Sequence, residues 1–328
     1  MRMMRRAVIA GTAAIGASGV VLVAQAPHAT TRIADQPRAG GRAHGRRIAL
    51  VRIIALLATL SACSEAIAGT IVTSQFESRM LARPWAYSVY LPTGYEGSKR
   101  RYPVLFLLHG NGQTHSAWAT SGRIQATADA LIANGEIPAA IIVMPDAGTT
   151  WYVDRKEPME SAIVRELIPH VDRVFRTIAA RNGRLVAGLS MGGYGAMRFA
   201  MKYPELFAAA ALLSPAVYDE PPANSAARRV GVFGSPDYDP AVWKALSHQA
   251  LWSNYQAKQL PVPMYIVSGD DDEFLIESSA TQFYARLRAL RHPAELRIVD
   301  GAHTWAVWST TIGDAMKYIF RYAAKPNP

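Results

Sequence analysis

The sequence predicts an α/β fold with a mostly parallel central sheet and helices on both faces, and three observations carry that reading. Continuous apolar runs of six residues, such as 103–108 (PVLFLL) and 139–144 (AAIIVM), fit strands buried on both faces. Segments of helical length alternate with these runs, the order expected of βαβ units. The runs end in Gly-bearing or polar loops, as at His109-Gly110-Asn111-Gly112, Gly188-Leu189-Ser190-Met191-Gly192 and Gly301-Ala302-His303.

Taken in order, residues 70–78 and 85–91 alternate apolar and polar side chains and read as two antiparallel edge strands, followed by a turn at Pro92-Thr93-Gly94. The run at 103–108 is a central strand with a loop at its carboxyl end, and 116–134 is helical. The run at 139–144 is the next strand, ending in Pro145-Asp146-Ala147-Gly148 and the polar aromatic loop 149–154. Residues 159–175 form an amphipathic helix with Ile163, Leu167, Val171 and Val174 on its apolar side. Residues 184–189 are a buried strand, and helical composition from 191 runs until Pro204 stops it. A strand at 207–213 is followed by 214–260, a Pro-rich and aromatic insertion with no clear single element, the kind of segment that carries specificity above a sheet. Strands at 263–268 and 295–299 flank a helix at 276–290, and a helix at 308–322 closes the chain. No internal repeat is present.

Charge divides the chain. The 328 residues hold 35 Lys and Arg against 25 Asp and Glu, but nine of the arginines and one acid, Asp35, fall within residues 1–63. Removing them leaves 26 basic and 24 acidic side chains, so the remainder is near neutral and composition gives no support for nucleic-acid binding. The basic excess reads as targeting, and residues 1–68 as an export leader ahead of a single domain at 69–328. Cys63, the only cysteine, follows the apolar run 53–60 in Leu60-Ser61-Ala62-Cys63, which resembles a bacterial lipoprotein signal with its lipid-modified cysteine. The competing reading is a secretory signal cut after Ala66-Ile67-Ala68. Both export the chain, to the periplasm, the outer membrane or the medium, the first with a lipid anchor. The leader looks like two signals in series, which raises a translation start at Val51 as a further expectation. One cysteine excludes a disulfide framework and a thiolate metal cluster.

Residues 184–204 are the chemical centre of the sequence. Strand, sharp turn and helix place Ser190 at an elbow whose tightness demands small neighbours, and Gly188, Gly192, Gly193 and Gly195 supply them. The turn aims the first backbone N–H groups of the helix at the space above the serine, where an oxyanion would form. Serine is a poor nucleophile at neutral pH and needs an imidazole to take its proton, which in turn needs a carboxylate to fix its tautomer. His303, after a strand end and a glycine, is placed to reach over the sheet. His115, His170, His248 and His292 lack such a setting and read as surface histidines. Asp270, Asp271, Asp272 and Glu273 all stand at the intervening strand end, and spacing alone does not choose among them. The order Ser, acid, His is that of α/β-hydrolases. One oxyanion donor should be the N–H of Met191, and the other should come from the loop after the first central strand.

From Tyr87 to about Tyr322 the chain resembles the esterase D and feruloyl-esterase group of α/β-hydrolases, which includes S-formylglutathione hydrolases and mycolyltransferases. The motifs are LFLLHGNG at 105–112, GLSMGGYGA at 188–196, DEFL at 272–275 and GAHTWAVW at 301–308. The resemblance implies an α/β-hydrolase fold, Asp272 as the acid, and Asn111 as the second oxyanion donor. It places Trp151, Tyr152 and Asp154 in the loop beside the acyl or alcohol pocket, and Trp305 joins them as an expected substrate contact. The function expected is a serine carboxylic-ester hydrolase acting through an acyl-enzyme on feruloyl-type, carbohydrate-linked or small acyl esters, with no cofactor and no metal. The alternatives are an acyltransferase to a carbohydrate acceptor and a non-catalytic exported binding protein of the same fold.

Overall fold

The computed structural model describes residues 68–328. The expectations placed on the leader, namely lipidation at Cys63, signal cleavage and a start at Val51, lie outside the described residues. Eight strands form one sheet in the order β1-β2-β4-β3-β5-β6-β7-β8. β1 (Thr70–Ser78) pairs antiparallel with β2 (Arg83–Leu91), and β2 pairs antiparallel with β4 (Ile141–Pro145). The remaining pairs are parallel: β4 with β3 (Val104–Leu108), β3 with β5 (Arg184–Leu189), and so on through β6 (Ala209–Leu213), β7 (Met264–Gly269) and β8 (Ala294–Val299). This is the α/β-hydrolase fold.

The central strands are apolar throughout because both faces are covered. In β3, Val104, Phe106 and Leu108 enter one core and Leu105 and Leu107 the other, the period of two that a pleated strand imposes. Burying a side chain such as Phe106 contributes roughly 1.5–3 kcal/mol. The larger core takes the helices Met191–Lys202 and Ile276–Ala289, and the smaller takes Ile124–Ala133 and Trp305–Phe320.

Local chemistry adjusts several expected elements. The helix expected over 116–134 is two pieces, Ala117–Thr120 and Ile124–Ala133, because Gly122 sits against Trp118 and Arg123 takes a left-handed conformation with φ 50°. The helix over 159–175 contains a π turn, Ile163–Leu167, directly before the stretch that holds Pro169, whose missing N–H disrupts the regular ladder. Ile163, Leu167 and Val171 are buried as expected, whereas Val174 is 56% exposed at the frayed end of that helix. The insertion after β6 holds the short helices Pro240–Leu246 and Trp252–Ala257.

One buried ionic cluster fastens this insertion to the helix that follows Ser190. Glu160 accepts from Arg198 at 2.5 Å and from the Tyr203 hydroxyl at 2.7 Å, and also pairs with Lys202. Burial opposes its ionisation, yet Arg198 and these donors hold its pKa below the usual carboxylate value. Arg198 and the Tyr194 hydroxyl both donate to the carbonyl of Leu246, at the end of the insertion helix.

Candidate active site

The site is built at the carboxyl ends of β3, β5, β7 and β8, where a parallel sheet leaves a crevice. β5 is buried along its whole length and delivers Ser190 into a turn with φ 52° and ψ −116°, a region that costs an L-residue on the order of 1–3 kcal/mol. Two glycines make the turn possible. A Cβ on Gly188 would stand 2.4 Å from the backbone of Gly192, and one on Gly192 would stand 2.4 Å from the carbonyl oxygen of Leu108. The chain is held by the Ser190 N–H donating to Leu213 O at 2.9 Å and by the Tyr194 N–H donating to Ser190 O at 3.0 Å.

Ser190, His303 and Asp272 lie in hydrogen-bonded sequence. Ser190 Oγ is 2.9 Å from His303 Nε2, and His303 Nδ1 is 2.7 Å from Asp272 Oδ2. With an ionised Asp272, Nδ1 carries the proton and Nε2 is free to accept one from the serine. Asp272 is buried, 2% exposed, and its other oxygen accepts the Phe274 N–H at 3.0 Å. The four adjacent acids are thereby separated. Asp270 is exposed and accepts the Gly301 N–H at 3.0 Å, Asp271 is exposed, and Glu273 accepts the backbone N–H of His303 at 3.4 Å. Phe274 and Trp308 pack edge-on against the His303 ring at 4.9 and 5.0 Å, restricting it to the arc between acid and serine. Trp308 is itself tethered by its indole N–H to Ser214 Oγ at 3.0 Å.

The loop after β3 is fixed by a buried histidine. His109 is 1% exposed; its Nε2 accepts the Ala147 N–H at 2.9 Å, which leaves the proton on Nδ1 to be donated to Gly110 O at 2.7 Å. Burial lowers its pKa, so it remains a neutral strut. The Gln113 side chain accepts the Gly110 N–H at 3.0 Å, and Gly112, with φ 72°, donates to Gly148 O at 3.3 Å. The N–H groups of Asn111 and Met191 have no acceptor among the described residues. Met191 also begins a helix, whose N-terminus favours negative charge.

Gly110, Asn111, Gln113, Ser190 and His303 line an open cleft of about 240 Å³ together with Trp151, Leu189, Tyr218, Ser225, Phe274 and Trp308. Of the four side chains expected to touch substrate, only Trp151 lines it. Tyr152 is fully buried, donates its hydroxyl to His109 O at 3.0 Å and packs under Gly195, so it supports the loop after β3 instead. Asp154 turns away to bind the N–H and hydroxyl of Ser161 at 2.9 and 2.6 Å. Trp305 packs between Trp118 and Trp308 outside the cleft. Sequence reasoning passed over Gln113, Tyr218 and Ser225, the last two within the insertion. His248 is buried, 5% exposed, and not a surface histidine. Among the described residues the carboxylates able to share a cation are Asp270, Asp271 and Asp300, all exposed and outside the cleft lining.

A family model described as "Putative esterase" matches residues 78–319. The chain belongs to the esterase family. It is 36% identical over 160 residues to an endo-1,4-beta-xylanase/feruloyl esterase of Xylanibacter ruminicola, a match covering 46% of this chain and 22% of that protein. It is 32% identical over 252 residues to esterase Rv1288 of Mycobacterium tuberculosis, covering 66% of this chain and 52% of the relative. The chain thus matches about a fifth of the first relative and about half of the second. A solved ferulic acid esterase superposes with TM-score 0.68 at 27% identity, covering 78% of this chain and 98% of that one. An S-formylglutathione hydrolase from Agrobacterium tumefaciens superposes with TM-score 0.64 at 21% identity, covering 80% and 98%, and shares the fold.

Proposed function

We propose that this esterase is a serine carboxylic-ester hydrolase working through an acyl-enzyme. The observation that carries the reading is the continuous relay from Ser190 Oγ through His303 to Asp272, at 2.9 and 2.7 Å, beside two unengaged backbone N–H groups. Ser190 Oγ attacks the ester carbonyl carbon while His303 Nε2 takes its proton. The oxyanion that forms is held by the Asn111 and Met191 N–H groups, and Asp272 stabilises the imidazolium. Collapse breaks the bond to the alcohol oxygen, which leaves with the proton from His303. Water, deprotonated by the same imidazole, then attacks the acyl-enzyme and releases the acid.

Feruloyl-type or other carbohydrate-linked esters, together with small acyl esters, are the proposed substrates. The names of the relatives support this, as does a cleft lined by Trp151, Tyr218 and Phe274, which suits a flat or compact acyl group. Export rests on the residue pattern of the leader. The test is hydrolysis of p-nitrophenyl acetate, p-nitrophenyl butyrate and methyl ferulate, with labelling by a fluorophosphonate. Ser190→Ala should lose both turnover and labelling, and undiminished turnover by that variant overturns the mechanism.

A further inference from the structure

The end of the sheet opposite the cleft carries a different chemistry. At the amino ends of β3 and β4 lies a groove of about 600 Å³ lined by Arg100, Lys317, Arg321 and Lys325, with Glu136 as its one acid. Lys317 is engaged by Asp314 at 2.7 Å and Glu136 at 3.4 Å, and Arg321 by Glu295 at 3.5 Å. Arg100 and Lys325 have no carboxylate partner among the described residues. Arg100 also belongs to the exposed run Lys99-Arg100-Arg101. The near neutrality of residues 64–328 therefore conceals a local excess of positive charge.

The strand register fixes where this groove sits. Thr70 pairs with Leu91, Tyr90 with Ile142, and Val104 with Ile141, so the first residues of β1 lie level with the starts of β3 and β4. The five residues of β3 span about 17 Å at roughly 3.3 Å each, and separate that level from the loops that form the cleft. Ala68 and Gly69, which lead into β1, thus lie at the same end of the sheet as the groove.

We propose that the groove docks the protein on a membrane of anionic phospholipids with the cleft turned away. Unpaired guanidinium and ammonium groups recognise phosphodiester headgroups, and each cation near such a surface adds to binding. Docking at this end leaves Ser190 open to substrate arriving from the aqueous side.

The experiment uses the full chain with Cys63→Ser, which carries no lipid and no other cysteine. An environment-sensitive fluorophore is placed on Asn327→Cys beside the groove or on Ser278→Cys on the helix after β7. Phosphatidylcholine vesicles are added with and without phosphatidylglycerol. The expected result is a blue shift at position 327 with phosphatidylglycerol only, none at 278, and a response about tenfold weaker in Arg100→Gln/Lys325→Gln. That double variant should hydrolyse p-nitrophenyl acetate at the parent rate. No response at 327, equal responses at both positions, or a response indifferent to the two charges overturns the proposal. Stabilisation by millimolar inorganic phosphate without any vesicle response assigns the groove to a soluble anion and overturns it as well.

Discussion

Gly192 and Leu108 stand so close that a methyl group on the glycine would lie 2.4 Å from the leucine carbonyl oxygen and 2.7 Å from that of His109. This contact joins the start of the helix after Ser190 to the end of β3, and so sets the spacing between the two N–H groups assigned to the oxyanion. Gly192→Ala must push the strand exit away. An error of about 1 Å at such a site costs on the order of 100-fold in rate. The expected outcome is a loss of that size in kcat for p-nitrophenyl acetate, and a variant within a few-fold of wild type would show that the spacing does not matter.

Ser190 tests strain against activity. Its φ of 52° and ψ of −116° suit glycine better than any L-residue. Ser190→Gly should abolish turnover while raising the stability to urea unfolding by about 1 kcal/mol. A destabilised variant would mean that the serine side chain contributes more to the fold than its backbone costs.

The choice of acid can be settled kinetically. Asp272→Asn keeps the shape but leaves His303 in the wrong tautomer, for which a loss of about 10⁴-fold in kcat is expected. Asp270→Asn and Asp271→Asn should stay near wild type, since both carboxylates are exposed and neither faces the imidazole. Comparable losses in all three would break the assignment.

His248 makes the insertion sensitive to acid. Trp252 Nε1–H donates to its Nδ1 at 3.2 Å, so the neutral ring carries its proton on Nε2, and full protonation would set two donors face to face. Burial lowers its pKa to about 4; Asp219 opposes the shift and Arg286 adds to it, while the backbone of Val217 and Tyr218 pulls it upward. Between about 4 and the ordinary 6.5 the unfolded chain binds a proton that the folded chain does not. This contribution to stability is complete above pH 6.5 and is lost as pH falls toward 4, amounting to about 3 kcal/mol. Denaturant melts of wild type and His248→Gln across that range should show a shallower pH slope in the variant. Parallel slopes would assign the acid sensitivity elsewhere.

Much of this was legible before the structure. The strands could be read because a sheet covered on both faces leaves no room for polar residues in runs such as VLFLL at β3. Ser190 and His303 could be read because a strand, a tight turn and a Gly-rich helix start occur together in few other contexts. Side-chain direction could not. Trp151 and Tyr152 have consecutive positive φ values of 55° and 56°, which break the alternation that would have told one from the other. The insertion helix at Pro240–Leu246 is too short for periodicity to reveal it, although Asp239-Pro240 is a cap followed by a proline in the first turn and was a usable signal. His248 reads as a surface residue because its burial depends on Trp252 and Phe283, the latter far along the chain.

Breaking the buried ion cluster should loosen the insertion. Glu160→Gln leaves Arg198 without its carboxylate in a buried setting, a change expected to cost about 3–5 kcal/mol in urea unfolding. Hydrolysis of methyl ferulate should suffer more in KM than that of p-nitrophenyl acetate. A stable variant with unchanged KM values would remove the cluster from any part in shaping the cleft.

The Leu246 carbonyl, which accepts hydrogen bonds from both Tyr194 and Arg198, ties the helix after Ser190 to the insertion that supplies Tyr218 and Ser225 to the cleft. A wall bonded to the neighbouring helix by two donors resists swinging as a hinged cover would. Selectivity in such an enzyme is set in advance by the side chains that face the gap. Retuning it is a matter of carving the walls at Trp151, Tyr218 and Ser225, with nothing gained by loosening the frame.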